Sequence, residues 1–179
     1  MQLIDTNLHG PFTRTGGRNV RSKILKMMKI HKPGEKIENA ELDDLEKKYD
    51  FNLPNDYREF MITYNGGRLK PQEFIATYKD GSERPSIVDS FLKVIPKGPC
   101  RIESTIINLQ ILEKRISRDL IPVAETPFGD LICLGVKGKA KEKVYFWNLE
   151  ENDENSTIED LGLIANSFQE FIDSLYDPE

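Results

Sequence analysis

Two stretches of the chain alternate apolar and polar residues with a helical period. In ENAELDDLEKKYDF the apolar positions Leu42, Leu45 and Tyr49 fall on one face, and in FNLPNDYREFMITYNGG the positions Tyr57, Phe60, Met61 and Tyr64 recur at i, i+3, i+4 and i+7. The first helix carries acids in its opening turn and Lys47 and Lys48 in its last, the arrangement the helix dipole favours. The second is punctuated at both ends. Pro54 suits an opening where its missing N–H is not needed, Asn55 or Asp56 adds first-turn acceptors, and Asn65-Gly66 supplies a left-handed stop.

A third amphipathic pattern precedes these. VRSKILKMMKIHK sets Val20, Ile24, Met27 and Met28 at helical spacing among lysines and ends at Pro33-Gly34. Beyond Glu73 the period shortens. EFIATY, SIVDSFLKVIP, LIPVAET, GDLICLGV and KVYFWNL are β-branched and aromatic runs separated by turn residues, including Asp80-Gly81, Gly129-Asp130 and KGKAKEK. Between them IESTIINLQILEKRIS predicts a helix with Ser104 as its candidate N-cap. SFQEFIDSLY predicts a last one, with Ser167 and Glu170 in capping-box spacing and Phe168, Phe171, Ile172 and Leu175 on one stripe. Helices and strands are segregated along the chain, so the expected class is α+β: a single domain with a mostly antiparallel central sheet of about five or six strands and helices packed against it. The expected division is an irregular N-terminal arm over 1–19, rich in glycine and without periodicity, and one domain over 20–179.

Composition narrows the class further. At 38% apolar and 31% charged residues the chain reads as globular, and no apolar run approaches the roughly 20 residues of a membrane span. The opening residues lack the basic and apolar regions of a secretory signal, which leads to the expectation of a cytoplasmic protein. Cys100 and Cys133, each beside an apolar residue, fit reduced packing residues better than a disulfide framework. The net charge of −5 hides an asymmetry: Arg14 to Lys36 carries eight cations against Glu35 alone, and residues 37–179 therefore hold −11 once Asp5 is counted. Such a body repels nucleic-acid phosphate and attracts basic proteins. Its densest tract is EENDENSTIED, which reads either as a solvated loop or as a contact surface.

Candidate chemistry is sparse. Two histidines, His9 and His31, and two distant cysteines do not make a zinc site, and the acidic tract lacks the glycine of a calcium loop, so no metal or cofactor is expected. Neither histidine is placed as a catalytic base, and the glycine pairs at 16–17 and 66–67 do not form a phosphate loop. The basic segment lacks aromatic residues to stack bases, which argues against nucleic acid. A carboxylate-based hydrolase would need a pocket gathering two or more acids with raised pKa values.

Three segments, in order, resemble one family. LEKKYDFNLPNDYREFMITYNGG is followed by IPVAETPFGDLICLGV with KVYFWNLE, and then by IANSFQEFIDSL. This set is similar to the SUKH superfamily, which includes bacterial immunity proteins and fungal cell-wall-assembly regulators, and it covers roughly residues 20 to 176. Leu53, Pro54, Tyr57, Phe60, Asn65, Gly66 and Gly67 match its first motif, and Gly129, Asp130, Trp147, Ser167, Phe168 and Phe171 the later ones. The arm through Gly17 departs from the family pattern.

The resemblance implies an α+β fold without a catalytic constellation, its motif residues being determinants of the fold. It also implies a role in binding and neutralising a cognate protein toxin domain. The acidic body adds the expectation that this toxin is basic, for instance a nuclease, with Glu150, Glu151, Asp153 and Glu154 as candidate contacts. The alternative is a regulatory interaction scaffold similar to the cell-wall regulators, which carry long disordered flanks that this chain lacks.

Overall fold

A computed structural model describes residues 29–95 and 101–177. The N-terminal arm and the Val20–Met28 part of the first amphipathic pattern lie outside the described residues, as does Cys100. Within the described part four α-helices and nine strands form an α+β fold in which every strand pair is antiparallel.

The central sheet is a five-stranded meander. β5 (Ser90–Phe91), β6 (Leu120–Glu125), β7 (Leu131–Gly135), β8 (Val144–Trp147) and β9 (Gly162–Ala165) pair in chain order. Its middle strands are buried on both faces, which is why LICLG and VYFW are continuous apolar runs. Alternate residues divide between two cores. Ile132, Leu134, Val144 and Phe146 join the main core, while Leu131, Cys133, Tyr145 and Trp147 join a smaller one with Ile116, Leu120 and Ala140. Cys133 is free and fully buried, and the apolar surroundings push its thiol pKa far up.

The main core is sealed by α1 (Asn39–Tyr49), α2 (Asn55–Tyr64) and α4 (Phe168–Ser174). Phe60 on α2 lies 5.0 Å from Phe91 on β5 and 5.2 Å from Phe168 on α4, centroid to centroid, while Tyr57 meets Phe168 edge-on at 4.9 Å. Pro54 occupies the N-cap of α2. Asp56 ties α2 to α4 through a 2.9 Å bond that its Oδ2 accepts from Gln169 N–H. On α4, Ser167 Oγ accepts from Glu170 N–H, but Glu170 reaches back to Asn166 N–H rather than to Ser167, so the capping box closes one residue early.

Asn65-Gly66-Gly67 does more than stop α2. Asn65 is left-handed at φ 48° and 1% exposed, and its side chain donates to Glu35 and Val94 carbonyls and accepts from Val94 N–H. A Cβ on Gly66 would lie 2.7 Å from the Phe91 and Leu92 carbonyls, so the backbone itself packs there. Gly67 then bridges to Phe91, bringing the ladder of β1 (Lys29–His31) and β2 (Arg68–Lys70) against the β5 edge.

Several expectations are corrected. Lys29–His31, assigned above to the end of a helix, is a strand, because KIH also alternates with period two and Ile30 pairs with buried Leu69. The SIVDSFLKVIP run is not one strand: β4 (Glu83–Ile87) pairs with β3 (Glu73–Thr77), and β5 begins after Asp89. Ser104 is not an N-cap. Among the described residues the helix already runs from Arg101 as α3 (Arg101–Thr105), Ser104 Oγ donates back to Arg101 O, and Ile106–Leu112 continues it as a π-helix. The wider turn shifts the apolar stripe, leaving Ile107, Ile111 and Leu112 exposed while Gln110 turns inward onto Ser117 and Leu120 carbonyls.

Candidate functional site

The acidic tract follows β8 directly, and its position is set by Trp147, the last residue of that strand. Trp147 is buried in the smaller core, and the Arg115 guanidinium lies 5.0 Å from its ring centroid. The same guanidinium donates to Leu149 O at 2.7 Å and Asn152 O at 2.8 Å, so one cation holds both ends of the loop's first turn.

Asp130 fixes the loop from the other side. Its buried carboxylate accepts from Asn148 Nδ2 at 3.1 Å and from Leu149 N–H at 3.0 Å, and receives Thr126 Oγ1 on its second oxygen. Asn148 Oδ1 accepts in turn from the N–H groups of Glu150 and Glu151, and Asn152 Oδ1 accepts from Asn148 N–H. Asn152 Nδ2 and Trp147 Nε1 are buried donors without an acceptor among the described residues. The Gly129-Asp130 motif thus works as a clamp that joins the β6–β7 turn to the acidic loop.

All four candidate carboxylates come together on this loop and all are exposed. They are not equivalent. Glu151 Oε2 accepts from Lys79 N–H in the β3–β4 turn. Asp153 Oδ1 accepts from Asn155 N–H and Ser156 Oγ, and the Asn155 amide holds its pKa below the ordinary aspartate range. Asp160 is lowered likewise by the Thr157 amide, with Lys79 adding a salt bridge at 3.5 Å. Glu150 and Glu154 carry no side-chain bond among the described residues, which leaves them available to a partner.

The remaining motif residues sit away from this loop. Leu53, Tyr57, Phe60, Phe168 and Phe171 lie in the main core, Pro54 and Ser167 at helix starts, and Asn65, Gly66 and Gly67 at the α2–β2 junction. Sequence reading missed Thr126, Arg115, Asn148 and Asn152 as the loop's scaffold. Arg115 stands 34 positions from the carbonyl of Leu149 that it holds, a pairing no local pattern encodes. It also missed Phe128, at the tip of the Thr126–Gly129 turn and 81% exposed; its place between Pro127 and Gly129 in a turn was the available signal.

Among the described residues no group of three His, Cys, Asp or Glu side chains is arranged to hold a metal ion, and no helix is long and apolar enough to cross a membrane. The carboxylates with a resolved shift, Asp50, Asp80, Asp153 and Asp160, are all lowered by hydrogen-bonding partners.

The chain is 29% identical over 149 residues to the SPbeta prophage-derived uncharacterized protein YokK of Bacillus subtilis (strain 168), a match covering 78% of this chain and 74% of that one. The SMI1 / KNR4 family (SUKH-1) matches residues 36–174, a span that runs from just before α1 to the end of α4. That span contains the aromatic junction of α2, β5 and α4 and the Asp130 clamp, and the chain belongs to the SMI1 / KNR4 (SUKH-1) family.

Proposed function

We propose that this protein is a non-catalytic immunity protein of the cytoplasm, which binds a cognate basic toxin domain and blocks it. The observation that carries the reading is the clamped acidic loop: Asp130, Asn148 and Arg115 hold its backbone while the Glu150 and Glu154 side chains make no bond among the described residues. A loop already ordered loses little conformational entropy on binding, and its charge speeds encounter with a cationic surface. A nuclease fits because its phosphate-binding cleft is cationic and can be occupied by carboxylates. Family membership and the residual −11 of residues 37–179 support the same reading, as do the lowered rather than raised carboxylates, which suit charge presentation better than proton transfer.

The test begins with the gene's neighbourhood. A large neighbouring protein with a C-terminal toxin domain supplies the partner, and co-expression of this chain should protect cells from that domain. With the domain inactivated, charge reversal of Glu150, Glu151, Asp153 and Glu154 should weaken binding and flatten its salt dependence. Lack of protection, or a neighbourhood without such a gene, counts against immunity, and unchanged binding by the reversal variant removes the loop from the interface.

A further inference from the structure

We infer that Phe128, with Leu149 beside it, is the apolar centre of the surface that this acidic loop surrounds, and that its occupant is a cationic protein domain. The inference rests on the reading of the protein as a binding partner of a basic toxin domain.

Phe128 is the most exposed large hydrophobic side chain among the described residues at 81%, and Leu149 is 39% exposed. Burial elsewhere in the fold explains neither. The two lie at the same end of the sheet. β7 and β8 end on the Leu131–Trp147 pair, and just beyond it Asp130 accepts from Asn148 Nδ2 and Leu149 N–H, which ties the Phe128 turn to the start of the acidic loop. In agreement, a Cβ built on Gly129 would come within 3.2 Å of Leu149 Cδ2. Gly129 adopts φ 93°, a conformation that costs glycine least, so glycine suits this turn next to Phe128.

The turn is also held in place. Thr126 Oγ1 accepts from Phe128 N–H and Asp130 N–H, both at 3.2 Å, and Asp130 binds Leu149 N–H. Phe128 and the carboxylates of Glu150 and Glu151 are therefore presented from one hydrogen-bonded unit. An exposed aromatic side chain on a hydrogen-bonded turn, tied to a loop of carboxylates, has the composition of an interface hot spot with a polar rim. The rim is anionic, which selects a basic partner over an acidic one. The exposed ring adds a face on which an arginine of that partner can stack.

The experiment measures binding of the inactivated C-terminal toxin domain encoded beside this chain's gene, by calorimetry at several salt concentrations. Phe128→Ala should weaken binding about 30-fold, the level of an interface hot spot, with its melting temperature and the salt dependence of binding unchanged. Leu163→Ala, another exposed apolar side chain on β9, serves as the control and should bind as the parent does. Charge reversal at Glu150 and Glu154 should instead change the salt dependence. If the parent binds and Phe128→Ala binds within about 2-fold of it, the inference is overturned while the immunity reading stands. If the parent does not bind, both fall together. If Phe128→Ala melts lower than the parent, the ring is a packing residue and the inference is again overturned.

Discussion

Replacing Phe60 by alanine tests the account of the core most directly. The ring is 1% exposed and touches three elements: Tyr64 on its own helix at 5.6 Å, Phe91 on β5 at 5.0 Å and Phe168 on α4 at 5.2 Å. Truncation removes its transfer free energy and leaves a cavity at the junction of α2, β5 and α4, a loss of about 3 to 5 kcal/mol for a buried phenylalanine. The upper half of that range is expected, since each lost aromatic pair adds about 0.5 to 1.5 kcal/mol beyond area burial. For a chain of this size the melting temperature should fall by roughly 10 to 15 °C. Urea denaturation should show a lower midpoint with an unchanged slope, the sign that stability rather than the extent of unfolding has altered. A loss below about 1 kcal/mol would refute the reasoning, because it would mean the junction collapses to fill the space. So would an unchanged midpoint combined with lost partner binding, since Phe60 would then act at the interface and not in the scaffold.

Three further outcomes are expected. Asn65→Ala removes three hydrogen bonds, two of them buried, and leaves an alanine in a left-handed conformation, so denaturation should register a loss of about 3 kcal/mol, and a loss under about 1 kcal/mol would contradict the role given to Asn65. Arg115→Ala releases the carbonyls of Leu149 and Asn152, so amide hydrogen exchange should accelerate across 148–153 while the strands of the central sheet keep their protection; uniform acceleration would show that Arg115 supports the whole fold. The carboxyls of Asp153 and Asp160 are lowered in the folded state, chiefly by the amides of Asn155 and Thr157, so the unfolded chain takes up protons first on acidification. Their contribution is therefore complete above the ordinary aspartate value near pH 4 and is lost as pH falls through the lower folded values. An NMR titration of the Asn155 and Thr157 amides should give midpoints below the ordinary value, and midpoints at or above it would contradict the hydrogen bonding.

Legibility in the sequence followed the range of the interactions. The α1 and α2 helices were readable because their apolar stripes and end signals lie within about a dozen consecutive residues. The β6, β7 and β8 strands of the central sheet were readable for the same reason, as apolar runs between turns. KIH was ambiguous, since a three-residue segment satisfies helical and strand periods equally, and its pairing with β2 decided the matter. The strand Gly162–Ala165 was not foreseen, because GLIA holds only two large apolar residues, unlike the VYFW run of β8, and its pairing with β8 decides it. The π-helix escaped for another reason: an α period was assumed, and Gln110 gains its inward position from the wider turn.

For the candidate site the sequence determined the chemistry, and the tertiary structure decided its geometry. The four carboxylates fall within five consecutive positions, so their accumulation was visible in the letters alone, as were the helix-stopping Asn65-Gly66-Gly67 and the apolar content of the core. Composition and local periodicity are properties of neighbouring residues, and they survive reading one chain in one direction. Which of those carboxylates are consumed by the scaffold, and which aromatic ring stands beside them, depends on groups far apart in sequence. Arg115, Asp130 and Lys79 reach the loop only after the sheet has closed, when hydrogen-bond donors from separate elements come within 3.2 Å of their acceptors.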